Sequence, residues 1–178
     1  MRVVVVALVL AALFGGGDQY LGSLSWHPWA AEVSLLSAPW LLVAFLAGCT
    51  QQDPWRAALL GFACTAAALL GYGLMTLSPV ENAQLNLHTV AGFVRSESPV
   101  VVGSVFTGPL FGWFGQRWRT ERAWLGALVA AATVCLEPFA RAAVGNGIRF
   151  RAVSLAEVSA GLAMAVYVVL RSGSRPSR

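Results

Sequence analysis

Val134-Cys135-Leu136-Glu137-Pro138-Phe139-Ala140-Arg141 sets a carboxylate and a guanidinium four residues apart at the end of an Ala-rich apolar run. Side chains at i and i+4 share a helix face, so Glu137 and Arg141 can meet along one side of a helix. Pro138 removes a backbone donor and crowds the carbonyl of Val134, which predicts a kink there. Ionisable residues within a spanning segment are costly and point into the bundle interior. Arg149, Arg151 and then Glu157 follow closely, the last again inside an apolar run. Five charges thus gather where two consecutive hydrophobic segments meet, and any specific chemistry is expected there.

The composition decides the class. Of 178 residues, 57% are hydrophobic and 11% charged, against about 25% charged in soluble domains. Too little polar surface exists to face water, so the chain reads as an integral membrane protein in contact with a lipid bilayer. The net charge of +4 comes from arginine alone, with no lysine. That charge fits loops obeying membrane topology better than nucleic-acid binding. Cys49, Cys64 and Cys135 are odd in number and share no short spacing, which argues for small apolar residues over a disulfide or a metal set.

The apolar runs predict an all-α bundle of six transmembrane helices. Val3–Phe14 leads into Gly15-Gly16-Gly17-Asp18; a signal-peptide h-region is possible in length, but no clean cleavage site follows, and an uncleaved first helix is expected. Ala7 and Ala11 give it a small-residue contact face. Trp26, His27 and Trp29 suit the headgroup level. The second span begins at Glu32 or at Ser37 and ends at Cys49; from Ser37 it is short for a hydrocarbon core of about 30 Å. Trp55–Leu77 is the third span, with Ala57, Gly61 and Thr65 as a small-residue stripe. Within Ser78–Ser98, residues Ala83, Leu87, Val90 and Val94 share a face, predicting an interfacial amphipathic helix between spans three and four. His88 in that stretch reads as a surface histidine. Pro99–Phe114 is the fourth span and carries Gly108 and Gly112 as a GxxxG packing motif. A basic, aromatic loop is expected at Gln116–Arg122, then spans at Ala123–Ala143 and Val153–Leu170. Residues 1–170 make a single transmembrane domain, and 171–178 a disordered cytoplasmic tail.

Six spans put both termini on one side of a bacterial cell membrane. The positive-inside rule makes that side cytoplasmic, with Arg2, Arg56, the Arg117–Arg122 loop and the tail. Asp18, Glu32, Glu81 and Glu97 then fall in outer loops. Arg141, Arg149 and Arg151 violate the rule, beside two membrane-embedded glutamates. Pro39–Gly48 with Arg56–Gly61 faintly echoes Pro109–Gly115 with Arg122–Gly126. Such a parallel repeat occurs in transporters, and chance similarity in Ala/Gly/Leu-rich sequence explains it equally well.

No GxSxG, HExxH, CxxC, Walker A or GxGxxG is present, and neither His27 nor His88 lies in a span, so no catalytic residue, metal site or cofactor is assigned. Glu137-x-x-x-Arg141 resembles part of the Glu-Glu-x-x-x-Arg motif of membrane-embedded prenyl-protein proteases. Leu136 replaces the first glutamate, however, and the membrane histidines are missing. Ser37–Gly48, Gly108–Gly112 with the Trp/Arg-rich loop, the Glu137 helix and Glu157–Gly161 together resemble a family of small multi-pass membrane proteins of high-GC bacteria, of unknown function. That resemblance, over Ser37–Leu170, implies an architecture and no mechanism. A looser likeness, in size and helix count, is to the substrate-binding components of energy-coupling-factor vitamin transporters, whose docking face Ala7 and Ala11 would match.

Two roles follow for the cluster. Glu137, Arg141 and Glu157 can pin helix five to helix six through charge, with Gly161 on the packed face. Alternatively, Glu137, Arg141, Arg149, Arg151 and Glu157 line a polar pocket for an ion or small polar solute. The first, a non-enzymatic protein of packing or partner-binding role whose partner is another membrane protein or a second copy, is the expected one, because nothing in the sequence requires a ligand; the alternative is a solute-binding or transport component. A partner-docking protein should keep its small-residue stripes outside and have no cavity beside Glu157, whereas a solute binder needs about 300 Å³ or more.

Overall fold

A computed structural model describes residues 2–24, 26–79, 87–121, 123–145 and 151–173. Seven α-helices make up nearly all of these, with no strand among the described residues: α1 (Arg2–Ser23), α2 (Pro28–Ser34), α3 (Ala38–Gly48), α4 (Pro54–Thr76), α5 (Leu87–Thr120), α6 (Trp124–Ala143) and α7 (Arg151–Gly173). Four of them, α1, α4, α6 and α7, are long and apolar enough to cross a membrane, and α2 with α3 makes a fifth candidate span, bent by 50°. The chain has the build of a multi-pass membrane protein.

Local sequence explains where helices start. Pro28 and Pro54 open α2 and α4, where a missing N–H costs nothing. Asp53 caps α4 by accepting the N–H of Arg56 at 2.9 Å. Gly15-Gly16-Gly17 does not end α1. The helix runs on to Ser23, so Asp18 lies inside α1 and is buried, not in an outer loop. The physical reason is packing: Gly15 sits on the Ala68 carbonyl and Gly71 on that of Ala12, so the glycines seat α1 on α4.

α4 is central, flanked by α1 and α5, with α3 lying across α4 and α5; α6 reaches this group through α3 and α5 and carries α7 outside it. Small residues fill the interior. Ala11, Ala47, Leu60, Cys64 and Ala68 form one buried cluster, and Ala44, Phe45, Phe111, Ala127, Ala130 and Val168 another. Large apolar side chains such as Leu10, Leu13, Leu70, Leu74 and Phe106 are exposed. Small inside and large outside is the arrangement of helices that associate in lipid by close backbone contact. The stripe Ala57/Gly61/Thr65 meets Gly108 and Gly112 directly: a Cβ on Gly112 would stand 2.4 Å from the Ala57 carbonyl oxygen, and one on Gly108 would stand 2.6 Å from Thr65 Oγ1. Ala11, buried, and Ala7, partly buried, pack in the cluster that joins α1 to α4.

Several boundaries differ from the sequence reading. Leu87–Ser98 does not form a separate helix; it is the first part of α5, a continuous 34-residue helix that includes Pro99 and Pro109. Residues 80–86 of the expected interfacial helix lie outside the described residues. The expected loop at Gln116–Arg122 is helical through Thr120, because Gln116 is buried and donates to the Gln52 carbonyl at 2.8 Å while Arg117 pairs with Glu121 at 2.6 Å. The tail is helical through Gly173, Arg171 donating to the Tyr167 hydroxyl; residues 174–178 are outside the described residues.

Candidate functional site

The site is organised by the break between α2 and α3. A break leaves backbone groups without helical partners, and lipid supplies none, so side chains must. Leu35 and Leu36 still donate back into α2, to Glu32 and Val33. Ser37 and Ala38 cannot, and Pro39 has no N–H to offer. Glu137 of α6 reaches across and takes both orphan donors: Ser37 N–H to Oε1 at 2.5 Å and Ala38 N–H to Oε2 at 2.6 Å. Arg141, one turn on, donates through Nη1 to the carbonyl of Leu35 and lies 3.7 Å from Glu137 Oε1. A carboxylate at the start of α3 also meets the positive end of its dipole. The pair therefore splices the break between α2 and α3, one member serving its N–H groups and the other its carbonyl.

The predicted Glu137–Arg141 pair is thus present, and its principal partners are main-chain groups roughly a hundred residues earlier. Of the other expected members, Glu157 is brought beside Glu137 and within the field of Arg141. Gly161, one turn further along α7, packs on the backbone of Cys135 and holds α7 against α6. Arg151 is exposed at the start of α7 and makes no ion pair among the described residues. Arg149 lies outside the described residues. Among the described residues the cluster comprises three groups, two carboxyls and one guanidinium.

Three cavities surround the break. One of about 410 Å³ lies over the splice, lined by Ser37, Glu137 and Arg141. A second, of about 470 Å³, is walled by α2, α3, α6 and α7, apolar except for Glu157. The third, of about 520 Å³, lies between α1, the break, α4 and α5. Its lining includes Asp18, Glu97, Ser34, Ser37, Ser104, Thr107, Trp40 and Tyr72, and no cation among the described residues. Asp18 is 7% exposed and accepts a hydrogen bond from Trp40 Nε1 at 3.3 Å. Trp40 in turn meets Phe14 and Tyr72 edge-on, at 5.5 and 6.0 Å between ring centres, and Tyr72 stacks on Phe93. An aromatic ladder drawn from four helices thus fixes the Asp18 side of the cavity. Sequence reasoning placed Asp18 and Glu97 in loops and missed this polar cavity; the available signal was a lone aspartate in an otherwise apolar helix.

His27 stacks on Trp29 and His88 is exposed. Among the described residues no three His, Cys, Asp or Glu side chains are grouped to hold a metal ion. No known protein family matches the chain, nor does any curated protein or solved structure.

Proposed function

We propose that this is a non-enzymatic solute-binding or transport component whose site is the cavity between α1, the break, α4 and α5. The observation that carries this is Asp18: a buried carboxyl in a cavity of about 520 Å³, among hydroxyls and aromatic side chains, with no cation in the lining among the described residues. Such a volume is that of ordinary ligand sites. Two carboxyls and two electron-rich rings favour a small organic cation, held by charge and by cation–π contact. The broken span supports a transport role, since discontinuous helices build sites of this kind in transporters and give the site a movable wall. Leu36 and Ser37, in the break itself, line cavities on both of its sides.

The competing reading is a protein that packs or docks with a membrane partner or a second copy. The small-residue stripes at Ala7/Ala11, Gly61, Gly108/Gly112 and Gly161 are used inside the molecule, and a cavity does exist beside Glu157. Tetramethylammonium, ethanolamine and agmatine, titrated against the protein in lipid nanodiscs, test the two. At least one should raise the unfolding midpoint, by about 2.7 kcal/mol of added stability at a hundredfold excess over Kd, and Asp18→Asn should abolish the shift. No shift with any of them, or an equal shift in Asp18→Asn, refutes the site.

The topology belongs to the same proposal. α5 is diluted in hydropathy by its Gly, Pro, Ser and Thr residues, yet it is about 50 Å long and packs along α3 and α4. Counting it as a span gives six, with residues before Pro99 at the interface and both termini cytoplasmic. Arg2, Arg56, Arg117, Arg119 and Arg171 then share the inner side, while Asp18, Glu97, Glu137 and Glu157 sit towards the outer leaflet. A thiol introduced at Thr120, after replacement of the three native cysteines, should resist impermeant maleimide in intact bacterial cells and react after lysis. Labelling in intact cells would reverse the orientation.

A further inference from the structure

We propose that the open cavity between α2, α3, α6 and α7 is a second, separate site, which binds the primary ammonium group of an amphipathic amine through Glu157. Glu157 is 6% exposed and lines a cavity of about 470 Å³, and apart from its carboxyl–carboxyl contact with Glu137 neither of its oxygens has a hydrogen-bond partner. None of the facing charges donates to it in the structure. Glu137 accepts from Ser37 and Ala38, and Arg141 directs Nη1 to the Leu35 carbonyl and towards Glu137, its buried Nε left without an acceptor. One guanidinium faces two carboxyls. A buried carboxyl without donors is costly, and a ligand that brings N–H donors removes the cost.

The rest of the wall describes the rest of the ligand. Val33, Leu36, Leu42 and Val134 give an apolar surface fit for an alkyl chain. An alkylammonium carries three N–H donors on one apolar body, enough for both Glu157 oxygens. Trp29, half-exposed at the start of α2, lines the same cavity. Glu157 lies six residues into α7, about 9 Å along its axis. In the proposed topology that depth is the boundary between headgroups and acyl chains, where an amphipathic amine places its charge. The same chemistry is carried by the headgroup of an aminophospholipid and by a free alkylamine.

Native mass spectrometry of the detergent-purified protein distinguishes these sources. Dodecylamine should give a one-to-one adduct that dodecanol does not match, and Glu157→Gln should weaken it by more than about tenfold. Ala160→Phe, which fills the cavity and keeps the carboxyl, should lose the adduct while retaining a cooperative thermal transition. Asp18→Asn should leave it unchanged, which separates this site from the one proposed above. Preferential retention of dioleoylphosphatidylethanolamine over dioleoylphosphatidylcholine, lost in Glu157→Gln, identifies the lipid headgroup as a ligand; dodecylamine binding without that preference identifies a free amine. Equal binding of dodecylamine and dodecanol, or undiminished dodecylamine binding in Glu157→Gln, overturns the proposal.

Discussion

Glu137→Gln is expected to lower the unfolding midpoint of the detergent-solubilised protein by about 10 °C, and Glu157→Gln to move it by no more than a few degrees. The two glutamates are buried alike, at 8% and 6% exposure, so burial alone predicts equal effects. Their partners differ. Glu137 holds two charge-assisted backbone bonds, at 2.5 and 2.6 Å, and offsets Arg141. Glutamine offers one acceptor oxygen in place of two, and its amide N–H₂ would face a backbone N–H. One donor at the start of α3 is then orphaned, and Arg141 is left with Leu35 alone. Removing one partner of a buried pair costs about 3–5 kcal/mol, and in a chain of this size about 2–4 °C follows from each kcal/mol. Glu157 receives no backbone N–H, and a neutral amide can keep its contact with Glu137 while relieving the repulsion between the two. Arg141→Gln should fall between the two, because its contact with Glu137 is longer, at 3.7 Å. Equal midpoints for wild type and Glu137→Gln would mean that the splice carries no stability.

That pair of outcomes also shows what could and could not be read from the chain. The i,i+4 spacing of Glu137 and Arg141 was enough to put them on one helix face, and lipid was enough to turn that face inward. Their partners were not legible, because main-chain N–H and C=O groups have no side-chain signature. The break itself was written in Ser37-Ala38-Pro39: a proline cannot donate, and the residue before it is disfavoured in a helix. Read linearly, that signal looks like two alternative starts for one span, at Glu32 or Ser37. Both segments are helical, and the bend lies between them. Asp18 was hidden for a related reason. Three glycines before an aspartate look like a helix end until α4 is present to demand close approach. The Asp18–Trp40 contact joins residues whose proximity only tertiary packing creates. Periodicity records which residues want to be inside; it does not record what they meet.

Gly48→Ala and Gly115→Ala are expected to be among the most damaging single changes in the molecule, although each adds one methyl group. Both lie where α3 crosses α5. A Cβ on Gly48 would stand 1.9 Å from the carbonyl oxygen of Gly112 and 2.6 Å from its carbon; a Cβ on Gly115 would stand 1.9 Å from the carbonyl oxygen of Phe45. The obstacle in each case is helix backbone, which cannot turn aside as a side chain can. The helices must separate by more than 1 Å or so, and every neighbouring contact along the crossing is stretched with them. Overpacking costs typically about 1–3 kcal/mol and occasionally more; a rigid backbone obstacle puts these two at or above the top of that range. α3 is also the helix that Glu137 caps, so a shifted α3 loosens the splice and the walls of the cavities on either side. Gly17→Ala and Gly103→Ala supply the contrast, since a Cβ at either would meet nothing within 4 Å. These should hold or raise stability, because alanine is favoured over glycine inside a helix by about 1 kcal/mol. Thermal unfolding of the four variants in one detergent reads the difference. If Gly48→Ala and Gly115→Ala unfold no lower than Gly17→Ala and Gly103→Ala, α3 and α5 do not cross as closely as described, and the cavities between them need not exist.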